Sequence, residues 1–350
     1  MSRVFKQQTS RETVGINAVE EITLITHNPF RPSTYEVQGK TYTSSCLSCL
    51  NPMCMKFHPR ELELHDERLN DFPADMDDSV CPTNALFWER GNRVPTVIPE
   101  YCINCGICAR RCPTGAIYSN GNSAVVHTDE QNVTFQPASL DNATHQEEQI
   151  RRLLVCQHAG RYLDVTERTV GNLYTKMTGQ QTNAQFPNLI VRNLFLVLGN
   201  RCIIRRRGDV YFRIDGILED TPTVGLTEVE FSNASLESPR AVLDDIAVLS
   251  TRYGIDRRQI KPFIISLEFP NIRTEYWRVI KDINDVLGIR IHSLSLGALC
   301  ILVWGFSNLP IGNVNFYADV DSPTIKEAIE ASCKVQIPDL GEYAVLEPRK

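Results

Sequence analysis

The sequence has no apolar run long enough to span a bilayer: its longest, Gly297 to Phe306, falls far short of the ~20 residues a membrane-crossing helix needs. Its first residues, MSRVFKQQTSRETVG, lack the apolar centre of a secretory signal, so the chain is expected to stay in the cytosol, without membrane contact. No G-x-G-x-x-G opens a helix after a strand-like run, which argues against a nicotinamide or flavin site of Rossmann type. A P-loop and a nucleophile elbow are missing too. Basic charge is not in excess, with 36 Lys and Arg against 42 acids and a formal net charge of −6. That excludes a globally basic nucleic-acid coat but not a local basic face.

Cysteine, by contrast, is plentiful. Twelve cysteines in a reducing compartment point to metal or cluster ligation rather than to a disulfide scaffold. Eight lie between Cys46 and Cys112, and Cys156, Cys202, Cys300 and Cys333 read as core or incidental thiols. At 350 residues, with 42% hydrophobic and 22% charged residues, the chain suits two globular domains. The polar, turn-rich stretch TDEQNVTFQPASLDNA marks a linker between them. The expected division is an extension over 1–40, a cysteine-rich domain over 41–128, a linker and connecting helix over 129–185, an α/β domain over 186–320 and a tail over 321–350.

The run Cys102-Ile-Asn-Cys105-Gly-Ile-Cys108-Ala-Arg-Arg-Cys112-Pro113 has the spacing C-x2-C-x2-C-x3-C-P. Short spacings let three soft thiolates converge from one turn, as each corner iron of a cubane requires. Cys46-Leu-Ser-Cys49, Cys54 and Cys81-Pro82 supply four more, and CPTNAL (81–86) echoes CPTGAI (112–117). This pattern resembles the two-cluster bacterial ferredoxins, whose fourth cysteine in such a run ligates the other cluster. The resemblance implies an α+β ferredoxin-like module with two 4Fe–4S clusters. One would be held by Cys46, Cys49, Cys54 and Cys112, the other by Cys102, Cys105, Cys108 and Cys81. The first half departs from the family, with four residues between Cys49 and Cys54 and 26 between Cys54 and Cys81. That insertion carries eight acids against two arginines and one lysine and is expected as an exposed loop or short helix beside the first cluster, with His58 and His65 as loop residues. A pair of four-cysteine zinc sites is the competing reading, disfavoured because zinc does not require three close cysteines plus a distant cysteine–proline, twice over.

Behind the linker, Gln146 to Leu163 shows a weak helical pattern, and NLIVRNLFLVLG reads as a buried helix. Strand-like runs follow at Cys202–Arg206, Val210–Leu218 and Val224–Phe231. A helix opens at Ser238–Pro239 with Val242, Ile246 and Leu249 on one face. Phe263–Phe269 reads as a strand, Tyr276 to Leu287 as a helix stopped by Gly288, and Ala298–Phe306 as a further strand. If the second and third strands form a hairpin across Glu219–Thr223, Asp215 sits beside Glu228, and Glu230 shares Glu228's face. Converging carboxylates are costly unless a hard cation such as Mg²⁺ or Mn²⁺ neutralises them.

Asp215 near the end of the second strand, Glu228-x-Glu230 on the third and the α-β-β-β-α-β order resemble the restriction-endonuclease-like, or PD-(D/E)xK, superfamily. Carried over, Asp215 and Glu228 would ligate the metal, and Glu230 would stand at the lysine position as a catalytic residue. That departure permits a nuclease without establishing one. Arg205, Arg206 and Arg207, in an arginine-rich stretch from Arg192 to Arg213, are candidates to grip DNA or RNA phosphates. The plainer alternatives are a solvated turn for the arginines and rim acids of an ordinary α/β domain for the carboxylates. Two functional readings follow. One is an iron–sulfur protein with a metal-dependent nuclease domain, or an inactive relative that binds nucleic acid; the other is a ferredoxin-type electron carrier whose second domain docks a redox protein partner.

Overall fold

The computed structural model describes residues 3–4, 13–16, 20–26, 33–37, 40–43, 46, 52–112, 116–126, 166–179, 184–209, 212–232, 236–305, 307–340 and 343–349. The chain divides into two units, one of Met1–Lys56, Thr83–Thr178 and Trp304–Phe306, the other of Phe57–Pro82, Gly179–Val303 and Ser307–Lys350. No helix among the described residues is long and apolar enough to cross a membrane.

In the first unit, the segment expected as a mere extension forms an antiparallel five-stranded sheet. Its strands, rich in β-branched and aromatic residues, suit a pleated surface. Strands β1 (Arg3–Val4) and β2 (Thr13–Ile16) both pair with β3 (Glu20–Thr26), which continues through β4 (Ser33–Val37) to β5 (Lys40–Thr43). Two small hairpins follow. Strand β6 (Leu86–Phe87) pairs with β7 (Thr96–Val97), and after helix α1 (Ile107–Arg111), β8 (Ile117–Ser119) pairs with β9 (Ala124–Val126). The repeated cysteine–proline sequence is thus also a structural repeat, each copy entering a short hairpin. Helix α2 (Thr166–Gly179) buries Val170, Leu173 and Tyr174 on one face. The helical pattern at 146–163 lies outside the described residues.

In the second unit, α3 (Phe186–Val197) leads into β10 (Arg201–Ile204), β11 (Gly216–Asp220) and β12 (Thr223–Glu230). Helix α4 (Ser238–Arg252), β13 (Ile260–Ser266), α5 (Tyr276–Leu287), β14 (His292–Ser295), α6 (Leu296–Trp304) and α7 (Lys326–Cys333) complete it. The sheet runs in chain order, antiparallel from β10 to β12 and parallel from β12 to β14. Every residue of β14 and nearly every residue of β13 is buried, as in parallel strands covered on both faces. Val242, Ile246 and Leu249 of α4 are buried as their spacing predicts. Helix α5 stops at Gly288, whose φ of 65° suits a residue without a Cβ and whose N–H closes on the Asn284 carbonyl.

Four sequence expectations change. The second strand starts at Gly216, later than the run Val210–Leu218 suggested, with Val210 and Tyr211 outside the described residues. Of Ala298–Phe306, expected as a strand, residues Ala298–Trp304 are instead the body of α6, and Phe306 lies outside the described residues. Ser295 Oγ accepts the Ala298 N–H at 3.0 Å and caps the helix, and the apolar run is buried all round. Residues 321–350 are no tail. Besides α7 they place Ala344 and Arg349 carbonyls on the Phe269 and Ile272 amides, with Ala344, Val345 and Leu346 buried.

The acidic insertion, finally, is no loop of the cluster module. From Phe57 it belongs to the second unit, burying Phe57, Leu62, Leu69, Phe72 and Val80 and bridging β10's edge through Ala74 and Arg205. Arg192 of α3, fully buried, holds it by donating to the carbonyls of Asp75 (3.3 Å) and Asp77 (2.6 Å), while Asn193 donates to those of Ser79 and Val80. Burial lowers the Arg192 pKa, and the nearby Asp75, Asp77 and Asp78 charges oppose that fall. Replacing Arg192 by Met leaves those carbonyls unmet and should cost about 2–4 kcal/mol. Chemical denaturation measures the loss, and faster proteolysis within residues 73–80 should accompany it.

Candidate cluster module and carboxylate site

The cysteine run is wound by two left-handed residues, Asn104 (φ 61°) and Gly106 (φ 84°), which flank Cys105 and lead into α1. Such alternation curls successive backbone N–H groups into an anion-binding concavity of the kind found at iron–sulfur sites. Cys102, Cys105, Cys108 and Cys112 are buried, as are Cys46 and Cys54, while Cys81 is half-buried and Cys49 lies outside the described residues. The Ala116 N–H reaches Cys112 Sγ at 3.2 Å and the Ala124 N–H reaches Cys102 Sγ at 3.3 Å, contacts that stabilise thiolate charge. Sulfur donors, αL turns and amide-to-sulfur contacts fit an iron–sulfur cluster. Buried Arg111 donates to the carbonyls of Met53 (2.8 Å) and Lys56 (3.3 Å), so the residue before Cys112 grips the backbone on both sides of Cys54. Lys176 of α2 donates to the Cys102 carbonyl at 2.6 Å and to those of Pro99 and Asn122. That lysine escaped the sequence reading because only the helix's docking brings it to the cysteine loop.

His58 and His65 are exposed residues of the second unit. His58 Nδ1 caps a short 3-10 helix through the Arg60 N–H, and the His65 N–H donates to Glu219 at 2.7 Å. Of the other cysteines, Cys202, Cys300 and Cys333 are buried as expected, with burial pushing the Cys202 thiol up to about 12, and Cys156 is outside the described residues.

The β11–β12 register, Gly216 opposite Thr227, carries Asp215 alongside Glu228. Asp215 Oδ2 accepts the Val229 N–H at 3.0 Å and Oδ1 the Asn188 side-chain N–H at 3.2 Å, with Arg205 Nη2 3.5 Å away. Burial raises the Asp215 pKa against these favourable contacts. Burial, with Asp215, Asp245 and Glu230 nearby, pushes Glu228 up to about 8. Asp245 of α4 is pushed to about 7 by burial and by Asp215 and Asp244, partly offset by Arg213 and Arg205. The sequence reading missed Asp245. Its signal was an acid at the core-facing position between Val242 and Ile246, where spacing alone calls for an apolar side chain.

Glu230 differs from the expected third member, because its Oε1 accepts the Ser232 N–H at 2.7 Å. Among the described residues, no group of three or more His, Cys, Asp or Glu is placed to hold a metal ion. Asp215, Glu228 and Glu230 therefore do not close into the converging set expected, with Glu230 held by the Ser232 amide. The donor chemistry still suits a hard divalent cation, because oxygen ligands predominate and Arg205 and Arg213 offset only part of the negative charge.

The arginines separate by role. Arg205 spends its guanidinium on Asp215 and on the Asp209 and Phe212 carbonyls, and Arg201 on the Arg60 and Glu63 carbonyls. Arg206, 3.4 Å from Asp209, and Arg207 are exposed around the Gly208 turn.

Residues 95–118 match the family model of the 4Fe–4S binding domain. The cysteine-rich module is ferredoxin-like and binds a 4Fe–4S cluster. An uncharacterized ferredoxin of Methanocaldococcus jannaschii is 30% identical to this chain over 79 residues, 21% of this chain and 50% of that protein, so the chain spans about half the length of this curated relative. Among solved structures, the restriction endonuclease FokI is similar with a TM-score of 0.26 and 12% identity, over 54% of this chain and 34% of that one.

The raised carboxylates make stability depend on pH in a fixed direction. The fold keeps protons on Glu228 and Asp245 that the unfolded chain releases near 4.5 and 3.8, so their stabilising contribution, complete below those values, is lost as pH rises through about 8 and 7. Denaturant midpoints in metal-free buffer should fall between pH 5 and pH 8.5, and Glu228→Gln should flatten that fall.

Proposed function

We propose that this chain is an iron–sulfur protein carrying two 4Fe–4S clusters, whose second unit is a Mg²⁺- or Mn²⁺-dependent nucleic-acid phosphodiesterase or a relative that binds nucleic acid without cleaving it. One cluster takes Cys46, Cys49, Cys54 and Cys112, the other Cys102, Cys105, Cys108 and Cys81. Support for two comes from the doubled cysteine–proline hairpins and from Arg111, which ties the Met53 and Lys56 carbonyls flanking Cys54 to the helix capped by Cys112.

The observation that carries the nuclease reading is the β11–β12 register, which sets Asp215 beside Glu228 toward the carboxyl end of β12, with Asp245 of α4 near enough to raise the Glu228 pKa. In an open α/β sheet, that end is where ligands gather. Asp215 and Glu228 would hold the cation, which supplies water activation and neutralises charge developing on a phosphodiester. The Val229 N–H and Asn188 fix Asp215, and Arg205 balances its charge. Glu230, at the lysine position, is left to orient the nucleophile, and the exposed Arg206 and Arg207 are left to meet the backbone.

Anaerobically purified protein should contain about eight irons. With Mg²⁺ or Mn²⁺ it should cut plasmid or single-stranded DNA, and Asp215→Ala or Glu228→Ala should lower the rate at least ~100-fold, a barrier change of several kcal/mol. Equal cleavage by the variants removes the nuclease. Binding of DNA without cleavage leaves the inactive relative. Reversible cluster reduction with no nucleic-acid binding favours instead an electron carrier.

A further inference from the structure

At the opposite end of the same sheet lies a cavity of about 350 Å³, walled by residues that open three neighbouring strands: Thr223 of β12, Lys261 of β13 and His292 of β14. Arg257, Arg258 and Arg290 join Lys261 around it, and among the described residues no carboxylate lines it. In a chain of net charge −6, this is a local reversal of sign. The three arginines are exposed and form no ion pair among the described residues. Arginines gathered around a concavity with their guanidinium groups outside any ion pair among the described residues match the fork geometry of phosphate oxygens.

The remaining walls are organised for a ligand with more than charge. Lys261 is half-buried, its ammonium donating to the carbonyls of Val314 and Gly312. The neighbouring Asp220 is engaged by the Gly312 N–H at 2.9 Å. His292 Nδ1 accepts the Phe316 N–H at 2.9 Å, which puts the proton of the neutral ring on Nε2 and makes the side chain an uncharged donor. Ile246, Ile260, Pro262 and Ile289 add apolar surface suited to a flat ring. The volume falls within the range of small-ligand sites, in excess of what a lone phosphate ion fills.

We infer that this cavity binds a phosphate ester of nucleotide size, its phosphates held by Arg257, Arg258 and Arg290 and its base lying on the apolar wall. Five residues of β12, roughly 16 Å of strand, separate Thr223 from Glu228, so the site is distinct from the carboxylates and does not depend on their chemistry. A free nucleotide and the phosphorylated end of a nucleic-acid strand present the same group.

Calorimetric titration of the anaerobic full-length protein with ADP, adenosine, and one oligonucleotide in 5′-phosphorylated and 5′-hydroxyl forms tests this. ADP or the phosphorylated oligonucleotide should bind, while adenosine and the 5′-hydroxyl strand bind at least 10-fold more weakly. Arg257→Ala with Arg258→Ala, and separately Arg290→Ala, should each weaken binding at least 10-fold. These side chains are exposed, so circular dichroism should show the fold intact. Arg240→Ala, removing an exposed charge from the start of α4, should leave binding unchanged. A preference for ADP identifies the free nucleotide, and a preference for the phosphorylated strand identifies the nucleic-acid end. No binding of either phosphorylated probe, full binding by the cavity variants, or an equal loss in Arg240→Ala overturns the assignment.

Discussion

Charge withdrawn from water has to be answered by dipoles or by opposite charge, and both units are organised around that requirement. In the first, the Ala116 and Ala124 amides reach the sulfurs of Cys112 and Cys102, while Arg111 meets backbone carbonyls. In the second, a buried guanidinium finds the Asp75 and Asp77 carbonyls, and the half-buried Asp215 carboxylate finds a strand amide, an asparagine and an arginine. Among the described acids, Asp215, Glu228 and Asp245 are raised by desolvation, and Glu228 and Asp245 depart furthest from free side chains. Their surroundings thus set these two acids apart from the other described carboxylates.

Features that depend on short stretches of chain were readable in advance. The cysteine run needs only its spacing, and the neighbourhood of Asp215 and Glu228 needs only a two-residue turn and the period of a strand. What could not be read depends on distant packing. Asp245 joins the carboxylates because α4 lays it against β12, and nothing in the residues around it names that partner. Residues 296–304 are apolar on every side, so neither a period of two nor one of 3.6 stands out; the deciding signal was the small polar Ser295 ahead of them. The acidity of residues 55–80 suggested solvent exposure, yet part of that negative charge surrounds buried Arg192.

The sheet of the second unit separates two chemistries by strand direction. Parallel strands β12, β13 and β14 start among arginines, a lysine and a neutral histidine, and β12 runs out among acids. The two ends differ in sign but share a scaffold, since Thr223 and Glu230 are terminal residues of one strand. Helix α4 borders both, contributing Asp245 to one and Ile246 to the other through consecutive residues that lie about 100° apart around its axis.

The strap from Phe57 to Pro82 leaves the ribosome long before the helix that anchors it, because Arg192 stands 117 residues downstream of its partner Asp75. It follows Cys54 and carries Cys81, so the connection between these two cysteines cannot take up its final path until α3 is made. Docking of this connection therefore waits on α3. Truncation after residue 185 would not yield a self-sufficient miniature ferredoxin, but a cysteine-rich fragment with its central connection undocked.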